Sequence, residues 1–193
     1  WAQLLGYARF LRGDWETVEA IDEMGAAIAQ GVTNKMPFII AAEALRSMNN
    51  IDRAARILKS ALEYHPDDLT ILNNLAYILS RDEKRLREAE NLLPRLLKDG
   101  SNNPNIIDTA AVILTSSGRT IEAEEMAKKL LIITPEKSPL WFRAHLHLAN
   151  IELQRGKKEK AKEYLEAVSG ISLNIPSEDI LRARKLTIQV NGE

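Results

Sequence analysis

The chain has 193 residues, 26 Lys and Arg against 27 Asp and Glu, and no cysteine. That length is about one domain's worth and can bury a core unaided. The near-zero net charge offers no field for nucleic acid or an anionic membrane, and without cysteine there is no disulfide framework, cysteine metal site or thiol catalysis. No apolar run approaches a membrane span and no signal-peptide pattern opens the chain, which leaves cytoplasm and periplasm equally open. The first residue is Trp1, inside a helical pattern, so the chain is expected to be a fragment of a longer one.

Apolar residues at three- and four-residue steps recur from end to end and predict helices in pairs. The first pair covers 1–12 and 14–30 and turns at Gly13-Asp14; the second covers 36–48 and 51–64 and turns at Asn49-Asn50. The third covers 68–81 and 84–99 around Asp82-Glu83, the fourth 104–117 and 120–133 around Gly118-Arg119, and the fifth 138–155 and 158–169 around Gly156-Lys157. Beyond the turns come Val18, Ala54, Ala89, Ala123 and Ala161, at steps of 36, 35, 34 and 38 residues. Such a period marks an array of helical hairpins.

Each first helix, A, also carries small residues among large ones, as at Leu75-Ala76 and Ala110-Ala111, which lets the second helix, B, approach closely. Pro37, Pro104 and Pro139 fall in first helical turns, Asn103 and Ser138 are placed as caps, and Pro66 and Pro135 follow B helices. Pro94 inside the third B helix predicts a kink or an early helix end. Ser177 to Val190 opens with a Ser-Glu-Asp cap and predicts a last helix over the exposed end of the stack.

The run Ala61-Leu62-Glu63-Tyr64-His65-Pro66-Asp67-Asp68, the A helix Ile71 to Leu79, and Asn105 to Leu114 with Gly118 and Ala123 resemble the tetratricopeptide repeat family. The likeness is weaker where Val18 and Gly25 replace alanines, and irregular where an extra residue lengthens the Arg81 to Arg85 turn. It implies an all-α fold, a right-handed α-solenoid of about five repeats (1–34, 35–67, 68–102, 103–137 and 138–172) with a capping helix at 177–190. In that family A helices line the concave face and B helices the convex one.

Catalytic parts are missing. His65 reads as a helix C-terminal residue; His145 and His147, two apart on a helix, point to different faces, one packing and the other facing groove or solvent, the wrong spacing for a shared metal. Gly156-Lys157 lacks the Ser or Thr and the first Gly of a phosphate loop. Lys157, Lys158, Lys160 and Lys162 interleave with Glu159 and Glu163, and Glu124-Glu125 precede Lys128 and Lys129 by one turn, the pattern of solvated helix faces. We therefore expect no enzyme, no cofactor and no metal.

Binding is expected on A-helix residues outside core and turns. Helical spacing selects Gln3, Tyr7 and Phe10; Glu43, Arg46 and Ser47; Asn73, Asn74, Tyr77 and Arg81; Asp108, Thr109, Val112, Thr115 and Ser116; and Arg143, His147, Asn150 and Gln154. Amides, hydroxyls and an aromatic on a rigid groove suit the backbone of an extended or helical peptide. The lysines of the family's carboxylate clamp are absent, since its points fall on residues such as Ile39, Glu43, Asn74 and Thr109.

The expected function is a non-catalytic protein-interaction scaffold holding a peptide or partner protein of unknown identity in the concave groove. The alternative is an accessory module of a larger enzyme or of a secretion or envelope-assembly machine. A third, weaker reading is an RNA-binding helical repeat, which the neutral charge opposes. Trp141-Phe142 is either core or an apolar edge for self-association.

Overall fold

The computed structural model describes residues 34–171 and 175–192; the first expected hairpin, with Gln3, Tyr7 and Phe10, lies outside them. Among the described residues there are nine α-helices, one short 3-10 turn and no strand, the make-up of an all-α solenoid. The chain divides into two compact units, Trp1–Leu92 and Leu93–Glu193, each taken in turn.

In the first unit, α1 (Lys35–Ser47) and α2 (Ile51–Tyr64) form a hairpin followed by α3 (Leu69–Leu79), a 3-10 turn at Glu83–Arg85 and the start of α4 (Leu86–Gly100). Asn34, Asn50 and Asp68 cap their helices by accepting from Met36, Arg53 and the Thr70 and Ile71 amides. A cap of this kind supplies about 1 kcal/mol. His65 ends α2, its amide bonded to the Ala61 carbonyl. Ala41, Ala54, Ala76 and Ala89 are fully buried beside Phe38, Leu58 and Leu72, so the small residues sit where helices press together.

In the second unit, α5 (Pro104–Ser116) pairs with α6 (Thr120–Ile133) and α7 (Pro139–Gln154) with α8 (Lys158–Ala167). Last comes α9 (Ser177–Asn191). Each A helix touches its own B helix and the next A helix: α5 meets α6 and α7, while α7 meets α8 and α9. The terminal helix thus takes the place of a further A helix. It adds Leu186 and Val190 to the buried cluster of Phe142, Leu146, Ala149, Ala161 and Leu165, at about 1.5–3 kcal/mol per large apolar side chain removed from water. Phe142 is core, and Trp141 packs partly buried against the same cluster.

Three A-to-B turns share one construction. The residue after the C-cap has positive φ, 59° at Asn49, 72° at Gly118 and 75° at Gly156. Its amide and the next one return to carbonyls in the last turn: Asn49 and Asn50 to Arg46 and Leu45, Gly118 and Arg119 to Thr115 and Leu114, Gly156 and Lys157 to Leu153 and Glu152. Left-handed backbone favours glycine, then asparagine, and the paired bonds satisfy carbonyls that a helix end would orphan.

Two details depart from the sequence reading. The helix α4 does not end at Pro94 but continues to Gly100, and Pro94 itself is exposed. Ser177 does not cap α9: Pro176 stands at the cap with no side-chain hydrogen bond, and Glu178 and Asp179 fall in the first turn. A methyl group at Gly100 would meet Ile106 Cδ1 at 2.2 Å, so this glycine marks a close approach of α4 to α5.

Candidate functional site

The A-helix side chains behave differently in the two units. In the first, Arg46 on α1 donates to both oxygens of Glu43 at 2.6 and 2.8 Å, and its guanidinium carbon stands 5.9 Å from the Tyr77 ring centre on α3. Neighbouring A helices are thereby linked by a cation–π contact between two half-buried side chains, worth about 0.5–1 kcal/mol. Asn74 Nδ2 donates to the Thr70 carbonyl of its own helix at 3.0 Å. Asn73 Oδ1 is buried and accepts no hydrogen bond. An acceptor left so costs roughly 1–3 kcal/mol. Arg81 lines a cleft of about 720 Å³ between the turns, with Met48, Asn50, Asp52 and Lys84.

At the other end of the same helices Lys35 Nζ lies 2.7 Å from Asp68 Oδ2. Burial works to raise the Asp68 pKa, yet Lys35 and the amides opening α3 hold it below the ordinary carboxylate value. On the B side, Glu88 accepts from Arg85 and Lys59, which take its pKa down to about 2, and Arg85 also reaches Asp52 at 2.9 Å.

In the second unit the residues expected on the groove are largely buried. Asp108, Thr109, Thr115 and His147 are 5%, 4%, 4% and 0% exposed, beneath the surface a partner would meet, and His145 is buried as well. Neither histidine faces solvent: His145 Nδ1 lies 3.0 Å from the Trp141 carbonyl, while the His147 ring joins three A-type helices. Its Nε2 is 2.8 Å from Asp108 Oδ1 on α5, and its Nδ1 is 3.3 Å from Arg182 Nη2 on α9. Arg143 on α7 donates to Asp108 Oδ2 at 3.2 Å and to Asp179 Oδ2 on α9 at 2.7 Å. Thr115 Oγ1 donates to the Ala111 carbonyl, Gln154 Nε2 to the Thr115 carbonyl at 3.4 Å, and Asn150 remains half-buried.

Charge follows geometry here. Burial first, then the Arg182 charge, pushes the His147 pKa down against the pull of Asp108. Burial would raise Asp108, but His147 and Arg143 hold it below its ordinary value. Burial likewise acts to lower Arg143, and its two carboxylates outweigh it and raise the pKa. Asp179 is left raised by burial, with Glu178 and Asp108 adding repulsion against the pull of Arg143, a guanidinium that Asp108, Glu178 and Asp179 share.

This ladder went unseen in the single-helix reading, though a signal was present. Asp108, Arg143 and Asp179 stand 35 and 36 residues apart with alternating sign, one repeat period each. Also unanticipated is Glu152 on α7, 1% exposed, whose Oε1 accepts from Arg155 at 3.0 Å while Arg155 reaches Glu124 on α6. Among the described residues no group of three or more His, Asp or Glu is arranged to hold a metal ion, and no helix is long and apolar enough to cross a membrane.

Comparison with known proteins agrees with the stacking. Two family models described as tetratricopeptide repeat match residues 45–113 and 142–174. Comparison with curated proteins finds no match. Among solved structures, a tetratricopeptide repeat protein from Parabacteroides merdae is 16% identical with a TM-score of 0.78, over 97% of this chain and 70% of that one. PilW, described as a type IV pilus biogenesis factor, is 19% identical with a TM-score of 0.75 over 99% and 84%. MamA from Desulfovibrio magneticus RS-1 is 14% identical with a TM-score of 0.72 over 88% and 92%. At these identities the likeness is one of fold. The matched segments span just over half of the sequence, the first running from the end of α1 into α5 and the second over α7 and α8, and the chain belongs to the tetratricopeptide repeat family.

Proposed function

We propose that the chain is a non-catalytic scaffold that holds a peptide, or an exposed segment of a partner protein, along the A helices of its first unit. Asn73, Asn74 and Tyr77 form the centre, with Glu43 and Arg46 beside them. The observation that carries this reading is that Asn73, Asn74 and Tyr77 are each only half-buried on one A helix, whereas Asp108, Thr109 and His147 on the later A helices are buried. Side-chain amides can pair with a peptide backbone, and Tyr77 adds contact area at small entropy cost. In the second unit, taken by itself, Asn150 is half-buried, and Arg143 and His147 are engaged by α9.

The test compares affinity capture by the chain with capture by an Asn73→Ala, Asn74→Ala, Tyr77→Ala variant of unchanged helicity. Loss of a defined prey supports the reading, while full retention of every prey contradicts it. A second reading makes the scaffold an accessory part of a secretion or envelope-assembly machine. The likeness in fold to PilW favours trying it. Cross-linking in native envelopes that recovers no envelope component would refute it.

A further inference from the structure

The terminal helix α9 is held by unequal means. Its amino end has no side-chain cap, Leu181 and Ile188 on it are exposed, and an open cleft of about 560 Å³ lined by Phe142, Leu165, Ile171 and Ile180 runs beside it. Its apolar seat is therefore incomplete, and helices at a domain's edge open at little free-energy cost. The polar hold is specific by comparison: Asp179 to Arg143 and Arg182 to His147, both tied onward to Asp108.

The protonation state of His147 follows from its neighbours. Arginine has no acceptor, so Nδ1 must receive the hydrogen bond from Arg182, and the ring's proton sits on Nε2, donated to the Asp108 carboxylate. His147 is thus neutral when α9 is docked. We propose that α9 is an acid-released cap: a proton added at His147 Nδ1 sets an N–H against the Arg182 guanidinium, removes the acceptor and undocks the helix from α7. Undocking uncovers Phe142 and Leu165 and frees Arg143 on one side.

The charges facing His147 fix the sign. They are Asp108 on α5, Arg143 on α7 itself and Arg182 on α9, with Asp179 and Glu178 acting through Arg143. Titratable groups of α6 and α8 that approach α7 engage other side chains: Glu124 pairs with Arg155, Lys160 with Glu152, and Tyr164 meets His145 edge on. Burial and Arg182 hold His147 neutral to lower pH than an ordinary imidazole. The release accordingly falls below that ordinary range, about pH 6.5.

Hydrogen exchange of the whole chain, corrected for the intrinsic pH dependence of exchange, reads this directly between about pH 7.5 and about pH 4.5. The expected result is loss of protection confined to residues 177–191, about tenfold for each pH unit below the midpoint, with α5 to α8 still protected. His147→Gln, whose amide can donate to Asp108 and accept from Arg182 without titrating, should remove the step, and His145→Gln should keep it. Protection of α9 unchanged across the range would overturn the proposal, as would a step that persists in His147→Gln, which would move the effect to the Asp179 carboxyl. Simultaneous loss in all helices would also overturn it. Should His147→Gln fail to fold, Arg182→Gln and the imidazole resonances decide. A step abolished by Arg182→Gln, with the His147 ring titrating at the step's midpoint, supports the proposal; an unchanged step or a ring neutral throughout refutes it.

Discussion

Residues 35–92 and residues 104–191 join successive hairpins by opposite devices. In the first stretch charged contacts between helices are on the outside: Lys59 to Glu88 at 2.8 Å, Arg85 to Asp52 at 2.9 Å, Arg46 over Tyr77. In the second they run inside, through Asp108, His147 and Arg143, to α9. Exposed pairs pay side-chain entropy and are screened, so they contribute about 0–1 kcal/mol each. Buried pairs gain little net stability as a set but lose a great deal when one partner goes. The first stretch therefore tolerates loss of its charged contacts, whereas the second is exacting, because Asp108, Arg143 and His147 are engaged by neighbouring helices.

The difference can be broken most severely at Asp108. Asp108→Ala leaves His147 Nε2 without its partner in the interior and removes one of the carboxylates on Arg143, and should cost about 1–3 kcal/mol, read by urea unfolding. A loss below about 1 kcal/mol would place the pair in the class of exposed contacts.

Acid should then separate the regions. The His147 pKa is lowered by burial and by Arg182, so its contribution is complete above the unfolded imidazole value and is lost as pH falls below it. Glu88 is lowered to about 2 by Arg85 and Lys59, so its contribution is present above the ordinary carboxylate value and lost as pH falls through about 2. Amide resonances of the second region should accordingly respond first on acidification. A first response at α2 and α4 would reverse the assignment.

Smaller effects test the outer contacts. Asp68→Ala removes the cap of α3 together with the partner of Lys35 and should cost about 0.5–2 kcal/mol. Lys59→Ala removes an exposed pair and should change stability by less than about 1 kcal/mol in urea. A larger loss at Lys59 than at Asp108 would dissolve the distinction between the regions.

Much of this was legible in the residues. The period came from small side chains, and Asn49, Gly118 and Gly156 announced turns because left-handed backbone admits few other residues. Asn103 and Ser138 read as caps and act as caps. Helical spacing also places Asp108, Thr115 and His147 on an A-helix face, but spacing along one helix cannot say what covers that face. The cover of His147 arrives from Arg182, 35 residues on, and from Asp108, 39 residues back. Of the two outcomes expected at Pro94, the early helix end does not occur, and the exposure of that proline on α4 belongs to the packed molecule.

The claim most open to test is that the first region's A helices receive the partner. A peptide selected by display against the whole chain, added to isotope-labelled protein, reports its seat through amide and side-chain resonances. The account predicts shifts centred on Asn73, including its side-chain amide, and on Tyr77, with affinity about tenfold weaker or worse in Asn73→Ala, Tyr77→Ala at unchanged helicity. Shifts confined to α2, α6 or α8, with affinity intact in that variant, would contradict it.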